Sequence, residues 1–193
     1  MKTVAKPSTI RRIAPGALAA LIALSASALA AETASPSHLR LIDRLDRPQD
    51  GYCVDILGTP GYLRPDLPLF AHNCKRGLTS DSAVVFTEEG QIHFPAVNLC
   101  ITVAGVNSGA LPGASVLLQG CGEATPFFET DKLQRFSLEK DGRLMLKGSD
   151  LCLAVGTRSA TTYSSADVWR ALFVDACDTA DDQRVRWEFV VPR

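Results

Sequence analysis

Between residues 50 and 191 the apolar residues fall in short runs, each cut off by Gly, Pro, Asp, Asn or Ser. Tyr52-Cys53-Val54-Asp55-Ile56, Leu69-Phe70-Ala71, Val84-Val85-Phe86 and Gln91 to Phe94 come first. Leu99 to Val103, Val116 to Gln119, Leu133 to Leu138 and Arg143 to Leu146 follow, then Leu151 to Val155, Leu172 to Val174 and Val185 to Phe189. Such runs, rich in Val, Leu, Ile and Phe, read as strands. Tight turns are marked at Glu89-Gly90 and Asp141-Gly142, and Gly/Pro-rich loops at 58–68 and 105–113. After residue 50 no long stretch has the 3.6-residue apolar period of an amphipathic helix. The pattern predicts an all-β domain of short strands in a sandwich, barrel or related closed form.

The runs recur in three sets, at about 50–95, 96–147 and 148–191. Each opens on an apolar–Cys–apolar strand, at Cys53, Cys100 and Cys152, with intervals of 47 and 52 residues. Each has a second run leading to another cysteine, at Cys74, Cys121 and Cys177. The aromatics Phe86, Phe136 and Trp187 stand 50 and 51 residues apart and read as core. A period near 50 residues marks a repeat whose single unit cannot bury its apolar face alone. Six cysteines allow 15 pairings. Their matching places in the repeat favour one bridge within each unit, Cys53–Cys74, Cys100–Cys121 and Cys152–Cys177. No C-x-x-C or zinc-ribbon spacing is present, so a metal role is not expected.

The amino-terminal stretch has a different character. Lys2, Lys6, Arg11 and Arg12 precede an apolar segment, Ala17 to Ala30, that ends in Ala28-Leu29-Ala30. This is the pattern of a signal peptide over residues 1–30, cleaved before Ala31, and it predicts a secreted or periplasmic protein. The segment is shorter than the ~20 apolar residues of a membrane span. Residues 31–49 read as a tether in which Leu39 to Leu45 fits either a short helix or a first strand. The remainder, 50–193, suits one domain. Four of the 20 basic residues lie in the leader, leaving 16 against 21 acidic ones, a net charge of −5. That balance disfavours nucleic acid and anionic membrane as partners.

The apolar–Cys–apolar strand, the run into a partner cysteine, and the elements Leu133-Gln134-Arg135-Phe136-Ser137-Leu138 and Gln183-Arg184-Val185-Arg186-Trp187 together resemble the ricin B-chain type of lectin. The resemblance covers roughly residues 50–191. It implies a β-trefoil of three pseudo-equivalent repeats, each with an internal disulfide and each a possible sugar pocket. In such lectins an Asp two residues after the first cysteine accepts bonds from sugar hydroxyls, which a carboxylate does well. The first unit keeps it as Asp55, whereas the second has Thr102 and the third Ala154. The ring two residues before the second cysteine, which covers the apolar sugar face, becomes His72, Gln119 and Asp175. The amide three residues before the Q-x-W aromatic becomes Ala83 in the first unit, counting from Phe86. The resemblance therefore implies a partial site in the first unit and none in the others. Tyr62 and Arg64, on the insertion Thr59 to Asp66, are expected to supply a missing ring and donor.

Each residue also has a plainer reading. Asp55 would otherwise cap the turn at Gly58, and His72 would be a satisfied rim residue. Trp169 beside Arg170, with Tyr163 nearby, would form a binding patch if exposed.

Catalysis finds little support. The histidines are His38, His72 and His93, and no H-E-x-x-H, G-x-S-x-G, phosphate loop or dinucleotide fingerprint occurs. Glu88-Glu89 and Asp181-Asp182 read as solvated turn charges. The expected function is a carbohydrate-binding module without a cofactor, its partner a carbohydrate or glycoconjugate. The alternative is a sugar-blind trefoil that binds a protein partner as an inhibitor or as an accessory subunit of a toxin.

Overall fold

A computed structural model of the chain describes residues 35–192. The expected leader, residues 1–30, and the first residues of the tether lie outside the described residues. A first strand, β1 (His38–Leu41), precedes the repeats. The first unit holds β2 (Tyr52–Asp55), a small hairpin of β3 (Gly58–Thr59) and β4 (Tyr62–Leu63), then β5 (Phe70–Asn73), β6 (Val85–Phe86) and β7 (Ile92–Phe94). The second holds β8 (Leu99–Val103), β9 (Val116–Gln119), a hairpin of β10 (Ala124–Thr125) and β11 (Phe128–Glu129), the single helical turn α1 (Thr130–Leu133), β12 (Phe136–Leu138) and β13 (Leu144–Leu146). The third holds β14 (Leu151–Val155), β15 (Ala160–Thr161), β16 (Val168–Ala176), a 3-10 turn over Asp182–Arg184, and β17 (Trp187–Val190). No described helix is long and apolar enough to cross a membrane.

Strand pairing exposes the threefold plan. β7 pairs with β6 and β8, and His93 stands opposite Cys100. β13 pairs with β12 and β14, and Met145 stands opposite Cys152. The third unit ends at β17, and the matching place is filled by β1, which pairs with β17 and puts Arg40 opposite Cys53. Of the two readings of residues 39–45, the strand is therefore the one observed over its first part. Rather than merely tethering the domain, His38–Leu41 completes the third unit, with Leu39 and Leu41 fully buried. Backbone bonds join the sheets. Ser37 and Val84 exchange backbone bonds of 2.9 Å, Leu69 N donates to Val116 O at 2.8 Å, and Phe136 N donates to Gly90 O at 2.8 Å. The result is a near-closed, barrel-like all-β domain.

The register also relocates one core position. Trp187 faces Leu41 and Phe136 faces Leu146, each one residue beyond the pair opposite a leading cysteine. In the first unit Val85 faces His93, so the counterpart of those aromatics is Val84, not Phe86. Burial agrees, since Val84, Phe136 and Trp187 are essentially inaccessible. Phe86 is only partly covered and stacks on Phe189 at 4.8 Å. The apolar interior is drawn from all three units and from β1, and Trp187 donates through Nε1 to Leu153 O at 2.9 Å.

All three within-unit disulfides are present, Cys53–Cys74, Cys100–Cys121 and Cys152–Cys177, and no cysteine is free. Each spans 21 to 25 residues, a loop whose closure contributes about 3 kcal/mol. Each ties a unit's first strand to the end of its second, which fixes the face where the candidate site lies.

Candidate functional site

β2, β5 and β16 lie side by side. Asp55 pairs with Phe70, Cys53 with His72, His72 with Trp169, and Phe70 with Ala171. Strand alternation puts Asp55, Phe70, His72, Trp169 and Ala171 on one face of these three strands. Val54, Ala71 and Arg170 point the other way and are buried. The β3–β4 hairpin folds over the open face from one side. It depends on Gly58, whose φ of 129° suits glycine and where a Cβ would lie 2.1 Å from Tyr62 O. The loop between β15 and β16 approaches from the other side. Between them is a cavity of about 450 Å³, inside the range of small-molecule sites.

Asp55, His72, Tyr62 and Arg64 all line this cavity. Tyr163 lines it from the third unit and is almost wholly exposed. Arg64 is engaged with Asp66, its Nη2 donating at 2.5 Å, and the cavity holds a second cationic group. That group is Lys75, which was not singled out in the sequence. Its Nζ donates to Asp55 Oδ2 at 2.9 Å and also bonds Asp81 Oδ2. Asp81 is fixed in turn by Thr79, whose hydroxyl donates to Oδ1 at 2.5 Å, and its backbone carbonyl accepts from Ile56 N at 2.9 Å. One ammonium thus bridges two buried carboxylates.

Burial pushes the Asp55 carboxyl up to about 7, and the neighbouring Asp81 charge adds to the rise while Lys75 opposes it. Burial works against the charge on Lys75, but the attraction of Asp55 and the bond to Asp81 outweigh it and raise its pKa. His72 is held below the usual histidine range, by burial first and then by the Lys75 charge. Its ring is therefore neutral at pH 7. Asp55 Oδ1 and His72 Nδ1 are both buried and have no hydrogen-bond partner among the described residues. Two buried polar atoms beside one cavity are thus left unpaired, at a cost of ~1–3 kcal/mol each. The Gly58 turn does not receive Asp55, because its carboxylate is turned to Lys75.

The equivalent positions elsewhere are spent on the fold. Thr102 is buried, and its hydroxyl accepts from Gln134 Nε2 at 2.9 Å. Gln134 also donates to Gly120 O at 2.9 Å and accepts from Gly122 N at 2.8 Å and Gln91 Nε2 at 3.2 Å. In the third unit Ala154 packs with Cys152 and Val185 in an apolar cluster.

The register of the first unit corrects the amide position as well. Three residues before Val84 is Asp81, so a carboxylate in contact with Lys75 holds the place assigned above to Ala83. The only landmark in the sequence was the wrong aromatic, Phe86. Trp169 and Arg170 do not form one patch. They are neighbours on a strand and point to opposite faces. Trp169 is 37% exposed and meets the Phe70 ring edge-on at 6.2 Å. Arg170 is buried over the Tyr52 ring, with Nη2 donating to Asp46 Oδ1 at 2.7 Å. The alternation Val168, Arg170, Leu172, Val174 carried that signal. Among the described residues no cluster of His, Cys, Asp and Glu has the grouping of a metal site.

No protein-family model matches the chain, and no curated protein matches it in sequence. In three dimensions it is similar to the β-trefoil lectin of the Vibrio vulnificus hemolysin/cytolysin, solved with N-acetyl-D-lactosamine bound. The TM-score is 0.53 at 13% identity over 82% of this chain and 96% of that one. It is also similar to the agglutinin from Abrus precatorius, with TM-score 0.56 and 19% identity over 80% of this chain and 48% of that one. The hemolytic lectin CEL-III gives TM-score 0.52 and 19% identity over 81% of this chain and 31% of that one. The chain thus spans less than half of either of those two proteins. At such identities the likeness is one of fold: this chain is a β-trefoil, built as those lectins are.

Proposed function

We propose that the protein is an exported carbohydrate-binding module with one sugar pocket, in its first unit. The observation that carries this reading is the orphaned Asp55 Oδ1 beside the first-unit cavity, at a position whose counterparts in the other units are already satisfied or apolar. Asp55 accepts from a sugar hydroxyl, Lys75 and Asp81 hold that carboxylate in place, and His72 and Phe70 cover the sugar's apolar face. Tyr62 and Tyr163 form the rim. The likeness to proteins titled as lectins supports the class of ligand. Export is supported by the leader pattern and by three disulfides, which persist in oxidising compartments. One shallow site of this kind binds at about millimolar, roughly −4 kcal/mol. Multivalent display of the glycan or attachment to a partner then raises avidity.

A second reading is a sugar-blind trefoil that binds a protein. It is favoured by the 3% exposure of Asp55 and its bond to Lys75, which leave a hydroxyl little access to the carboxylate. A glycan array probed with the disulfide-intact protein and with Asp55→Asn decides between them. Binding by the wild type that the variant loses is the expected result. Silence of both at high concentration with multivalent display overturns the sugar reading.

A further inference from the structure

The cavity beside Asp55 is not alone on this face. A second cavity, of about 370 Å³, lies on the other side of Phe70 and is lined by Trp169, Ala171, Leu172, Leu67 and Leu69. The two share Leu57, Phe70 and Thr162 as lining, so they adjoin, with Phe70 between the two halves of this face. The Phe70 ring meets His72 edge-on at 5.9 Å on one side and Trp169 edge-on at 6.2 Å on the other. The two halves differ in chemistry. The first contains Asp55, Lys75, Asp81 and His72. The second contains no charged residue, and the hydroxyls of Ser115 and Thr162 are its only polar side-chain groups apart from the Trp169 indole.

We propose that the ligand is amphipathic: a glycoside whose sugar lies against Asp55 and whose apolar aglycone, an alkyl or aryl group, lies in the trough lined by Trp169, Ala171 and Leu172. This rests on the sugar-binding reading above and names the ligand class for the same site. The occupant follows from three features of the trough. It adjoins the polar half across Phe70, Leu57 and Thr162, so one molecule that spans Phe70 reaches both. It offers nothing to a charge, so its occupant is neutral. Its partly exposed Trp169 and Leu57 remain wet until something apolar covers them. Covering apolar surface adds affinity in proportion to the area buried, which strengthens a site whose polar half alone binds weakly.

The experiment compares methyl and octyl glycosides of galactose, glucose, mannose and N-acetylglucosamine, below the micelle concentration, by calorimetry. For the recognised sugar the octyl glycoside is expected to bind roughly tenfold tighter than the methyl glycoside or better, as two buried methylenes would give. Trp169→Ala and Ala171→Glu, both at exposed positions of β16, are expected to remove that gain and leave methyl glycoside binding in place. Asp55→Asn is expected to weaken both. Trp187 is buried and Trp169 is not, so an emission shift of Trp169 on adding the octyl but not the methyl ligand reports the same event without a variant.

Equal affinity for methyl and octyl forms, with Asp55→Asn abolishing both, overturns the aglycone and leaves the sugar site standing. Equal binding of octyl glycoside and sugar-free octyl tetraethylene glycol, untouched by Asp55→Asn, shows an independent apolar site such as a protein partner would use, and also overturns it. No binding of any glycoside removes both readings together.

Discussion

In the first unit Asp55, two residues after the leading cysteine, is a carboxylate held by an ammonium, with one oxygen unpartnered. In the second unit Thr102, at the same place, is a hydroxyl that accepts from a fully bonded amide. Both positions are buried and both lie on the strand that carries the leading cysteine. They differ in whether the neighbours complete the hydrogen bonding. Gln134 satisfies the second unit with four bonds, all to groups of this chain. Lys75 satisfies the first only in part. A repeated fold therefore provides the same position three times, and the side chains around it decide whether its hydrogen bonding is completed within the chain or left open.

The largest effect is expected from removing the ammonium. Lys75→Met leaves Asp55 and Asp81 facing each other without a cation, which should cost about 3 kcal/mol at pH 8. The loss should shrink toward pH 5, where Asp55 takes up a proton. Urea unfolding at the two pH values measures both. In the second unit Gln134→Ala strands Thr102, Gly120 and Gly122, for a cost of about 2 kcal/mol that does not vary over that range. If the two variants showed the same pH dependence, the contrast between a charged and a neutral pocket would fail.

A smaller effect isolates Asp55 itself. Its folded pKa, about 7, lies above the ordinary 3.8, so the folded state binds more protons than the unfolded state between those values. Stability must then fall as pH rises through that window. Asp55→Asn cannot ionise and escapes the fall. The variant should therefore gain steadily on the wild type between pH 4 and pH 7, and level off above. His72, whose pKa is lowered, pushes the other way in both proteins, so comparing them removes most of its part. A constant difference across the range would mean that Lys75 keeps Asp55 ionised throughout.

The repeat, the all-β class and the three bridges were legible because apolar–Cys–apolar strands recur at a fixed period. Asp55, His72, Tyr62 and Arg64 do meet at one cavity. Lys75 and Asp81 were not legible, because a lysine after a cysteine and an aspartate in a Ser/Thr-rich run look like solvated turn residues. Only strand register reveals that Asp81 is three residues before the buried Val84. β1 escaped for another reason. Its four residues, His-Leu-Arg-Leu, are too few for a period to separate helix from strand. Its partner β17 lies at the far end of the chain, where no local pattern points to it. Arg170 misled through its charge, since a buried arginine held by Asp46 reads in sequence as surface.

The smallest effect concerns exposed aromatics. Tyr163 is 96% exposed and lines the first-unit cavity. Phe127, in the second unit, is 81% exposed and lies outside both cavities described above. Exposure is thus alike, and neither ring's removal should change the unfolding midpoint much, because little surface is buried by either. Binding should separate them. Tyr163→Ala should weaken the recognised glycoside about threefold, near 0.6 kcal/mol, because the rim ring loses its contact with the ligand. Phe127→Ala should leave the affinity unchanged, because under the proposed single first-unit site the second unit, whose matching position is filled by Gln134, meets no ligand. Titrating both variants with the same glycoside makes the distinction. A loss in Phe127→Ala equal to that in Tyr163→Ala would place ligand on the second unit as well, and a filled hydrogen-bond network could then no longer be the reason a unit is silent.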